Sequence, residues 1–477
     1  MGRTSPAVPR PSDELSAETW AGAHDHLVGF LREVIRIPSI NPPNPPGPEL
    51  DAANRIAEEL RSFGLEPEVL EPFPGRGSVV CRLRGDGTGG DPLLILSHLD
   101  VVPAASDGWT HGPFDADVAD GYVWGRGAVD MKAMVALSVG VMRLLAARAT
   151  EAGLDPATDP IPGLRRDVLF ACTADEENGG WEGAGWIVDN RPELLRAAAA
   201  FSEAGGVSAD AAGRRFYPIL VAEKGHEVYR IHVRGTQGHG SLPRDDNAAV
   251  LAAEVVRRLA TPGEPRITPV VRRLLDEVGV ALGDEQRRLL DAATGDDQRR
   301  AELAIGALCD PIHARILRAV VRDTFSPDVI HAGSKYNIIP GDATVEVDIR
   351  TLPGTTPDDI REEILVRLGE LAQTCELEQL HSAISFETPV DDVYELLADT
   401  ILAADPDGVP VPMLAPFATD GKHLVRLGIP VYGFSPLRQA PGEGFLDNFH
   451  SIDERVGIEA LRWGLPVLYD ATVRFCG

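Results

Sequence analysis

Residues 93–100 read Leu-Leu-Ile-Leu-Ser-His-Leu-Asp, an almost continuously apolar run that ends in two polar side chains. A run of this length is typical of a strand that is buried on both faces of a parallel sheet. Strands that alternate with helices predict an α/β domain with a central, mostly parallel sheet flanked by helices. The predicted elements of this domain are helices over 18–37, 52–63 and 130–145 and strands over 65–70, 78–83, 93–97 and 168–172.

The apolar pattern changes near Gly225, where runs that alternate polar and apolar residues replace the continuously apolar ones. Alternation predicts strands with one buried face, and two strand-and-helix halves of this kind predict a small α+β, ferredoxin-like domain. The predicted elements of this second domain are strands over 227–234, 341–350 and 384–386 and helices over 247–259 and 357–372.

The second domain is predicted to be inserted into the first. We expect the first domain over 1–225 and 391–477 and the second over 226–390, in which residues 261–325 form an added helical element. A chain of 477 residues is also too long for one ordinary hydrophobic core, so its length alone favours two domains.

The composition excludes several classes of function. Hydrophobic content of 44% and a mean hydropathy of −0.07 are typical of a soluble globular protein, and no apolar run approaches the length of a membrane span. The net charge of −28 argues against a nucleic acid partner, which requires a basic surface. The N-terminus lacks the apolar stretch of a secretory signal, so a cytoplasmic location is expected. The five cysteines include no Cys-x-x-Cys pair, so neither a disulfide framework nor a cysteine zinc site is expected.

Two polar side chains, His98 and Asp100, end the apolar run. Side chains at positions i and i+2 of an extended segment point the same way. Asp100 can therefore hold one ring nitrogen of His98 while the other nitrogen binds a metal ion. An ordinary polar strand end is the alternative interpretation.

Asp130 lies in Gly125-Arg-Gly-Ala-Val-Asp130-Met-Lys, at the start of a predicted helix. An N-cap is the ordinary role of an aspartate at such a position. Its two carboxylate oxygens would also allow it to bridge two metal ions, which a neutral imidazole cannot do. The sequence pattern is compatible with both roles.

The adjacent residues Glu176 and Glu177 follow the apolar run over 168–172 and precede two glycines. Neighbouring side chains on extended backbone diverge, so one glutamate can bind metal while the other accepts a proton from a metal-activated water. Glu203 repeats this pattern of an acid between a strand and glycines, and His450 would complete a second metal site. Each residue alone has a structural alternative, but together they predict the ligands and base of a two-zinc hydrolase.

These motifs resemble those of the M20 family of metallopeptidases, which includes aminoacylases, carboxypeptidases and succinyl-diaminopimelate desuccinylases. The resemblance extends from about residue 25 to the end of the chain. The matching segments, in the family's order, are Ser-His98-Leu-Asp100, Gly-Arg-Gly-Ala-Val-Asp130-Met-Lys, Asp-Glu176-Glu177-Asn-Gly-Gly, Ser-Glu203-Ala-Gly and His450-Ser-Ile-Asp-Glu.

The resemblance implies that Glu176 is the general base, that Asp100 orients His98 and that a cis peptide bond follows Asp130. It also implies two metal ions, zinc by preference with cobalt or manganese as alternatives. The implied ligands are His98 and Glu203 for one ion and Glu177 and His450 for the other, with Asp130 bridging both.

The inserted domain resembles the family's lid and dimerisation domain, so a homodimer is expected. His239, between Gly238 and Gly240, matches a histidine that helps to stabilise the tetrahedral oxyanion, in several members from the neighbouring subunit. Asn247 matches a position that contacts substrate. Arg350 matches the clamp for the substrate carboxylate, a task that suits the planar guanidinium. A turn histidine and a surface salt bridge are the alternatives for His239 and Arg350.

Two departures from the family's pattern limit what the resemblance implies. The segment Pro416-Phe-Ala-Thr419-Asp420 lacks the glycine-rich loop that many members carry before a Thr-Asp pair, which puts the contact of this pair with the substrate carboxylate in doubt. The helical insertion over 261–325 enlarges the lid, as in the carboxypeptidase S-like branch. It could change whether His239 acts within its own subunit or in its neighbour.

We therefore expect a zinc-dependent hydrolase that removes the C-terminal residue of a small peptide or deacylates an N-acyl amino acid. A biosynthetic deacylase, such as acetylornithine deacetylase or succinyl-diaminopimelate desuccinylase, is the alternative among enzymes. A metal-binding interaction protein without catalysis is the alternative from another class, and Glu176 argues against it because a metal store does not need an unliganded acid. No nucleic acid or membrane partner is expected.

Overall fold

A computed structural model describes residues 10–41, 49–105, 107–295, 297–308, 311–444 and 448–477. The chain forms two compact units. The first contains the chain up to residue 221 together with 388–413 and 419–477, and the second contains 222–387 and 414–418. Relative to the predicted boundaries, residues 222–225 and 414–418 belong to the second unit and residues 388–390 to the first.

The first unit is built on a mixed sheet whose four central strands are parallel to one another. The two innermost runs predicted from sequence, Leu93–His98 and Val168–Thr173, are buried along their whole length. Such burial explains their continuous apolar character. Across the sheet the strands are Glu68–Phe73, Arg76–Leu83, Val168–Thr173, Leu93–His98, Ala199–Ser202, Val431–Gly433 and Arg214–Glu223, the last of which ends in the second unit. The predicted α/β fold class is confirmed.

Helices flank this sheet, and the shorter strands lie at its margins. The α-helices of the first unit are Ala17–Ile35, Glu49–Ser62, Lys132–Glu151, Ala184–Asn190, Asp392–Ala404, Gly421–Leu424 and Ile458–Cys476. The 3-10 helices are Pro11–Glu14, Glu176–Asn178, Pro192–Leu194 and Val425–Leu427. Val118–Ala119, Tyr122–Trp124 and Arg455–Gly457 form a separate small sheet, while Ala209–Ala211 and Val409–Ala415 pair with Arg214–Glu223.

Within the described residues, the helix Lys132–Glu151 is long and apolar enough to cross a membrane by length and composition alone. The expectation that no apolar run approaches this length was wrong for this helix. Core helices of globular proteins meet the same criterion, and 78% of its most apolar window is buried in the protein. It packs between the helices Ala17–Ile35 and Ile458–Cys476, as a core helix does.

The second unit contains an antiparallel four-stranded sheet with one apolar face. The strands across this sheet are Thr324–Ala332, Asp342–Thr351, Gly225–Arg234 and Cys375–Ala383. Alternate residues such as Ile231 and Val347 are fully buried against the helices Ala248–Leu259 and Pro357–Leu368, which explains the period of two in the sequence. The remaining short elements are Gly238–His239 paired with Ile338–Ile339, the 3-10 helix Gly369–Thr374, and Phe386–Glu387.

The helical insertion consists of Pro269–Leu282, Asp284–Ala293, Gln298–Leu308 and Pro311–Val320. It lies within the predicted range 261–325. Of the last predicted strand of this unit, only Phe386 lies in a strand, Phe386–Glu387, which pairs with Arg214–Glu223. The edge strand of the four-stranded sheet is instead Cys375–Ala383. This edge strand is largely solvated, so the apolar signal on which the prediction relied is weak there.

Candidate metal centre

The sheet of the first unit brings three of the predicted ligand segments to one edge. His98 is the last residue of Leu93–His98, Glu176 and Glu177 follow Val168–Thr173, and Glu203 follows Ala199–Ser202. These three strands are adjacent and parallel, so their carboxyl ends lie side by side. Loops at that edge can therefore direct their side chains to a common point.

Asp130 lies between the two predicted ligand histidines. Its Oδ1 is 3.2 Å from His98 Nε2, and its Oδ2 is 3.1 Å from His450 Nε2. His98 Nε2 is also 3.6 Å from Glu203 Oε2, and His450 Nε2 is 3.2 Å from Glu177 Oε2. Each histidine thus faces one further carboxylate, and the two groups share Asp130. The helix that follows begins at Lys132 with no side-chain cap, so the N-cap interpretation of Asp130 was wrong.

The donor atoms of this cluster suit a pair of divalent cations. Nitrogen and carboxylate oxygen atoms of His98, Glu176 and Glu203 lie within 4.8 Å of one another, and the same holds for His98, Asp130 and Glu177. Glu177 Oε1 is buried and has no hydrogen-bond partner among the described residues. An orphaned buried carboxylate oxygen is costly unless a cation approaches it. The residues therefore fit the implied metal ions.

The charges of the cluster favour protonation or cation binding. Burial, reinforced by the charge of Glu203, raises the pKa of Glu176 well above its usual value. Burial and the charge of Asp130 raise the pKa of Glu177 to about 7. Hydrogen bonds to Asp130 and Glu177 raise the pKa of His450 to about 10. Without metal, bound protons thus offset the negative charge of the carboxylates. Bound cations would replace these protons.

Asp100 joins His98 to the loop over residues 174–180, here called the acidic loop, which carries Glu176 and Glu177. Its Oδ1 lies 3.3 Å from His98 Nδ1, which is also 3.1 Å from the Asp100 carbonyl oxygen. The same carboxylate accepts the backbone N–H groups of Glu176 at 3.2 Å and Glu177 at 3.0 Å. Asp100 therefore contacts His98 as predicted, and it also fixes the backbone that carries both glutamates.

Glu454 joins the loop of Asp130 to the loop of His450. It is fully buried, and its carboxylate accepts the backbone N–H groups of Gly127, Val129 and Asp130 at 2.8–3.1 Å. Arg126 donates to Glu454 at 2.7 Å and to the His450 carbonyl oxygen at 3.2 Å. Glu454 ends the motif His450-Ser-Ile-Asp-Glu, but no role was predicted for it. Its position four residues after a ligand was the available signal.

A cis peptide bond joins Asp130 to Met131, as the family resemblance implied.

The Thr419–Asp420 pair is buried beside the acidic loop. Asp420 Oδ2 accepts a hydrogen bond from Thr173 Oγ1 at 2.7 Å, and a Cβ on Gly180 would lie 2.0 Å from Asp420 Oδ1. Glycine at position 180 is therefore required for this close approach, and its φ of +72° favours glycine as well.

The three remaining predicted site residues lie in the second unit. His239 is exposed, and its Nδ1 is 2.8 Å from Ser241 Oγ. Arg350 forms a two-pronged ion pair with Asp348, at 2.8 and 2.9 Å, so the salt bridge considered as the alternative is present. Asn247 caps the helix Ala248–Leu259 by accepting the N–H of Ala249 at 3.0 Å. Roles of these residues toward substrate stay predictions.

Comparison with known proteins agrees with the motifs. Residues 94–473 match the model of peptidase family M20/M25/M40. The chain is 28% identical over 412 residues to a probable carboxypeptidase S-like 2 of Dictyostelium discoideum, covering 80% of this chain and 71% of that protein. It is 26% identical over 480 residues to an N-fatty-acyl-amino acid synthase/hydrolase PM20D1 of Xenopus tropicalis, covering 94% and 86%.

A solved structure with the same fold is an M20 family metallo-carboxypeptidase from Sulfolobus solfataricus. It is 20% identical in sequence, superposes with a TM-score of 0.69, and the match covers 94% of this chain and 99% of that one. The family match spans most of the chain, and it includes the strand ends that carry the metal-ligand cluster. The chain therefore belongs to peptidase family M20/M25/M40 and is an amide-bond hydrolase of that family.

Proposed function

We propose that this protein is a two-zinc hydrolase of small peptides or N-acyl amino acids that have a free C-terminal carboxylate. The observation that carries the proposal is the placement of Asp130 between His98 and His450, with its two oxygens 3.2 and 3.1 Å from the two ring nitrogens. A carboxylate placed between two such groups would suit the binding of a pair of divalent cations. Cobalt or manganese could occupy the same donors.

In this mechanism His98 and Glu203 would hold one ion, Glu177 and His450 would hold the other, and Asp130 would be a ligand common to both sites. When bound, the ions polarise the scissile carbonyl and lower the pKa of the attacking water. Glu176 accepts the proton of that water and passes it to the leaving amine. Among the described residues, the Glu176 carboxylate makes no hydrogen bond or ion pair, unlike that of Glu177, which supports its assignment as the base.

The residues of the second unit complete the proposal. His239 stabilises the oxyanion of the tetrahedral intermediate, Arg350 binds the substrate carboxylate, and Asn247 contacts the substrate. For Arg350 this role requires the substrate to compete with Asp348 for the guanidinium. We further propose a cytoplasmic homodimer that has no nucleic acid or membrane partner.

A carboxypeptidase or aminoacylase activity is supported by relatives named for carboxypeptidase S and for hydrolysis of N-fatty-acyl amino acids. A dedicated biosynthetic deacylase, such as acetylornithine deacetylase or succinyl-diaminopimelate desuccinylase, is the second candidate. A panel of dipeptides, N-acetyl, N-succinyl and long-chain N-acyl amino acids separates the two. Activity confined to N-acetylornithine or N-succinyl-diaminopimelate would favour the biosynthetic enzyme.

The Glu176→Ala variant tests the mechanism. We expect its kcat to fall by about 10²–10⁴-fold, the usual contribution of a general base, with two metal ions still bound per chain. Glu193→Ala, which removes an exposed glutamate paired with Arg191, is the control and retains the wild-type rate. Wild-type turnover in Glu176→Ala would remove this residue from the mechanism, and a zinc-loaded wild type that hydrolyses no member of the panel would reject the proposed function.

A further inference from the structure

The first unit contains a buried arginine that is not part of the metal-ligand cluster. Arg76, at the start of the strand Arg76–Leu83, is 3% exposed and is surrounded by acceptors. Its Nη1 donates to Asn41 Oδ1 at 2.9 Å and to Glu49. Its Nη2 is 3.2 Å from Asp175 Oδ1, and its Nε donates to Glu182 at 2.8 Å. One guanidinium therefore organises four side chains beside the acidic loop.

One route from Arg76 reaches the acidic loop through Asn41 and Asp100. The side-chain oxygen of Asn41, Oδ1, accepts a hydrogen bond from Arg76. The side-chain nitrogen Nδ2 is therefore directed toward Asp100 and donates a hydrogen bond to its Oδ2 at 2.7 Å. Asp100 in turn accepts the backbone N–H groups of Glu176 and Glu177. Asn41 is held in place by its own backbone, whose N–H donates to the Val101 carbonyl oxygen at 2.9 Å.

A second route runs through Asp175, the residue directly before Glu176. Asp175 has a left-handed backbone with φ of +70°, which non-glycine residues adopt only where the surroundings hold them. Arg76 contacts its Oδ1, while its Oδ2 accepts the backbone N–H of Glu182 at 2.9 Å. The acidic loop is thus held through its backbone at Glu176 and Glu177 and through the side chain of Asp175.

We propose that Arg76 and Asn41 are positioning residues for Glu176 and Glu177. They act through Asp100 and Asp175, and they touch neither substrate nor metal. This inference rests on the proposed function, because it assigns the loop a base and a metal ligand. Arginine is required because its planar fork reaches several acceptors in fixed directions, whereas a lysine ammonium is a single point charge on a flexible stem. Partners behind metal ligands typically contribute about 10–100-fold to activity or metal affinity.

Asn41→Ala and Arg76→Lys test the proposal. Circular dichroism and thermal unfolding will show whether each variant folds. Asn41→Ala changes a neutral side chain and leaves no buried charge unpaired, so it still tests the proposal if Arg76→Lys does not fold. For the folded variants we expect kcat to fall by about 10–100-fold with KM changed less than about threefold. Cobalt(II) titrated into the metal-free proteins should give visible spectra that differ from that of the wild type, because Glu177 and His98 shift.

Arg215→Lys is the matched control. Arg215 also donates to a buried carboxylate, that of Asp405 at 2.8 Å, but this pair has no hydrogen bond to the metal-ligand cluster among the described residues. Its kcat and cobalt spectrum should equal those of the wild type. Unchanged cobalt spectra in both test variants would overturn the proposal, whatever their activities. The cobalt spectra decide this point even if no hydrolysis is found, so failure of the proposed function remains distinguishable.

Discussion

Asp130 lies between the two halves of the predicted metal centre. Each of its oxygens faces a different histidine, its backbone N–H is held by Glu454, and a cis peptide bond follows it. An asparagine has the same shape, but one of its oxygens is replaced by an amide nitrogen that donates hydrogen and does not bind a cation. The identity of this single atom should therefore decide how many ions the protein holds.

Asp130→Asn is expected to bind one zinc ion per chain where the wild type binds two. Activity should fall by more than about 100-fold, since even changes behind the ligands cost about 10–100-fold. Metal analysis after dialysis, together with kcat, measures both effects. Asp405→Asn replaces another buried aspartate, one bonded to Arg215 and Tyr217, and should keep two ions. Two ions bound at wild-type affinity in Asp130→Asn would exclude the bridging role.

Sequence patterns were sufficient to predict which acidic and imidazole side chains lie close together, because motif order and strand-end position are local properties. They were not sufficient to decide between an N-cap and a bridge for Asp130, which depends on where His450 lies in the fold. The sequence motifs did not indicate a role for Asn41 or Arg76 for a similar reason. Their contacts with Asp100 and Asp175 join segments about 60 to 100 residues apart, and no local pattern records such contacts.

Among the elements, the loops over Gly127–Asp130 and His450–Glu454 are joined by hydrogen bonds to the Glu454 carboxylate. The Glu454 carboxylate accepts hydrogen bonds from three backbone N–H groups and from one arginine N–H group. Each of these hydrogen bonds therefore requires an acceptor atom at position 454. Burial raises the pKa of Glu454, while the hydrogen bond from the Val129 backbone and the charge of Arg126 oppose this shift. A glutamine in this place would replace one acceptor oxygen by an NH2 group, which only donates and would face N–H donors.

Glu454→Gln is expected to lower the free energy of unfolding by about 3 kcal/mol, the cost of breaking a buried ion pair and leaving donors unmatched. Urea unfolding of the metal-free protein measures this loss without the contribution of bound zinc. Glu459→Gln, which removes one partner of an exposed pair with Arg462, should change it by less than about 1 kcal/mol. Equal stability of Glu454→Gln and the wild type would show that the loops do not depend on this carboxylate.

Glu49, the first residue of the helix Glu49–Ser62, is expected to make the stability of the protein depend on pH. Burial, with a smaller contribution from Asp100, raises the pKa of Glu49 to about 8, although Arg76 opposes the shift. The folded protein therefore binds more protons than the unfolded chain between about pH 4.5 and 8, and stability from this group is lost as the pH rises through that window.

Glu49→Gln should remove this loss. From pH 5 to pH 8, the wild type is expected to lose on the order of 4 kcal/mol more unfolding free energy than the variant. Glu59→Gln on the same helix is the control. Contacts with His26 and Arg55 lower the pKa of Glu59 against the effect of burial, so its removal should not flatten the profile. Urea unfolding at several pH values measures the slopes, and parallel wild-type and Glu49→Gln profiles would contradict the assignment.

Elements were predictable where burial produces an unbroken signal, as in Leu93–His98 and Val168–Thr173. The edge strand Cys375–Ala383 was not predicted. It pairs with Gly225–Arg234 through backbone hydrogen bonds, and most of its side chains are at least partly exposed to solvent. A solvated edge carries little apolar pattern, so tertiary pairing decides its position.

At the scale of the whole molecule, the predicted metal ligands all belong to the first unit, whereas His239, Asn247 and Arg350 belong to the second. In the cluster of predicted metal ligands, four carboxylates face two imidazoles, so the cluster holds more acidic than basic groups. Removing bound cations should therefore loosen the ligand loops of the first unit and leave the core of the second unit unchanged.

Hydrogen exchange with and without a chelator tests this difference between the units. Ions present at about 100 times Kd stabilise the bound form by about 2.7 kcal/mol, so chelation should speed exchange by up to about 100-fold in amides protected by metal binding. We expect this at Gly127–Asp130, Glu176–Gly180 and His450–Glu454, with no change in the strands Gly225–Arg234 and Asp342–Thr351. Asp130→Asn should show a smaller response because it holds fewer ions. A response spread equally over both units would show that the cations stabilise the chain as a whole, contrary to a centre built only from the loops of the first unit.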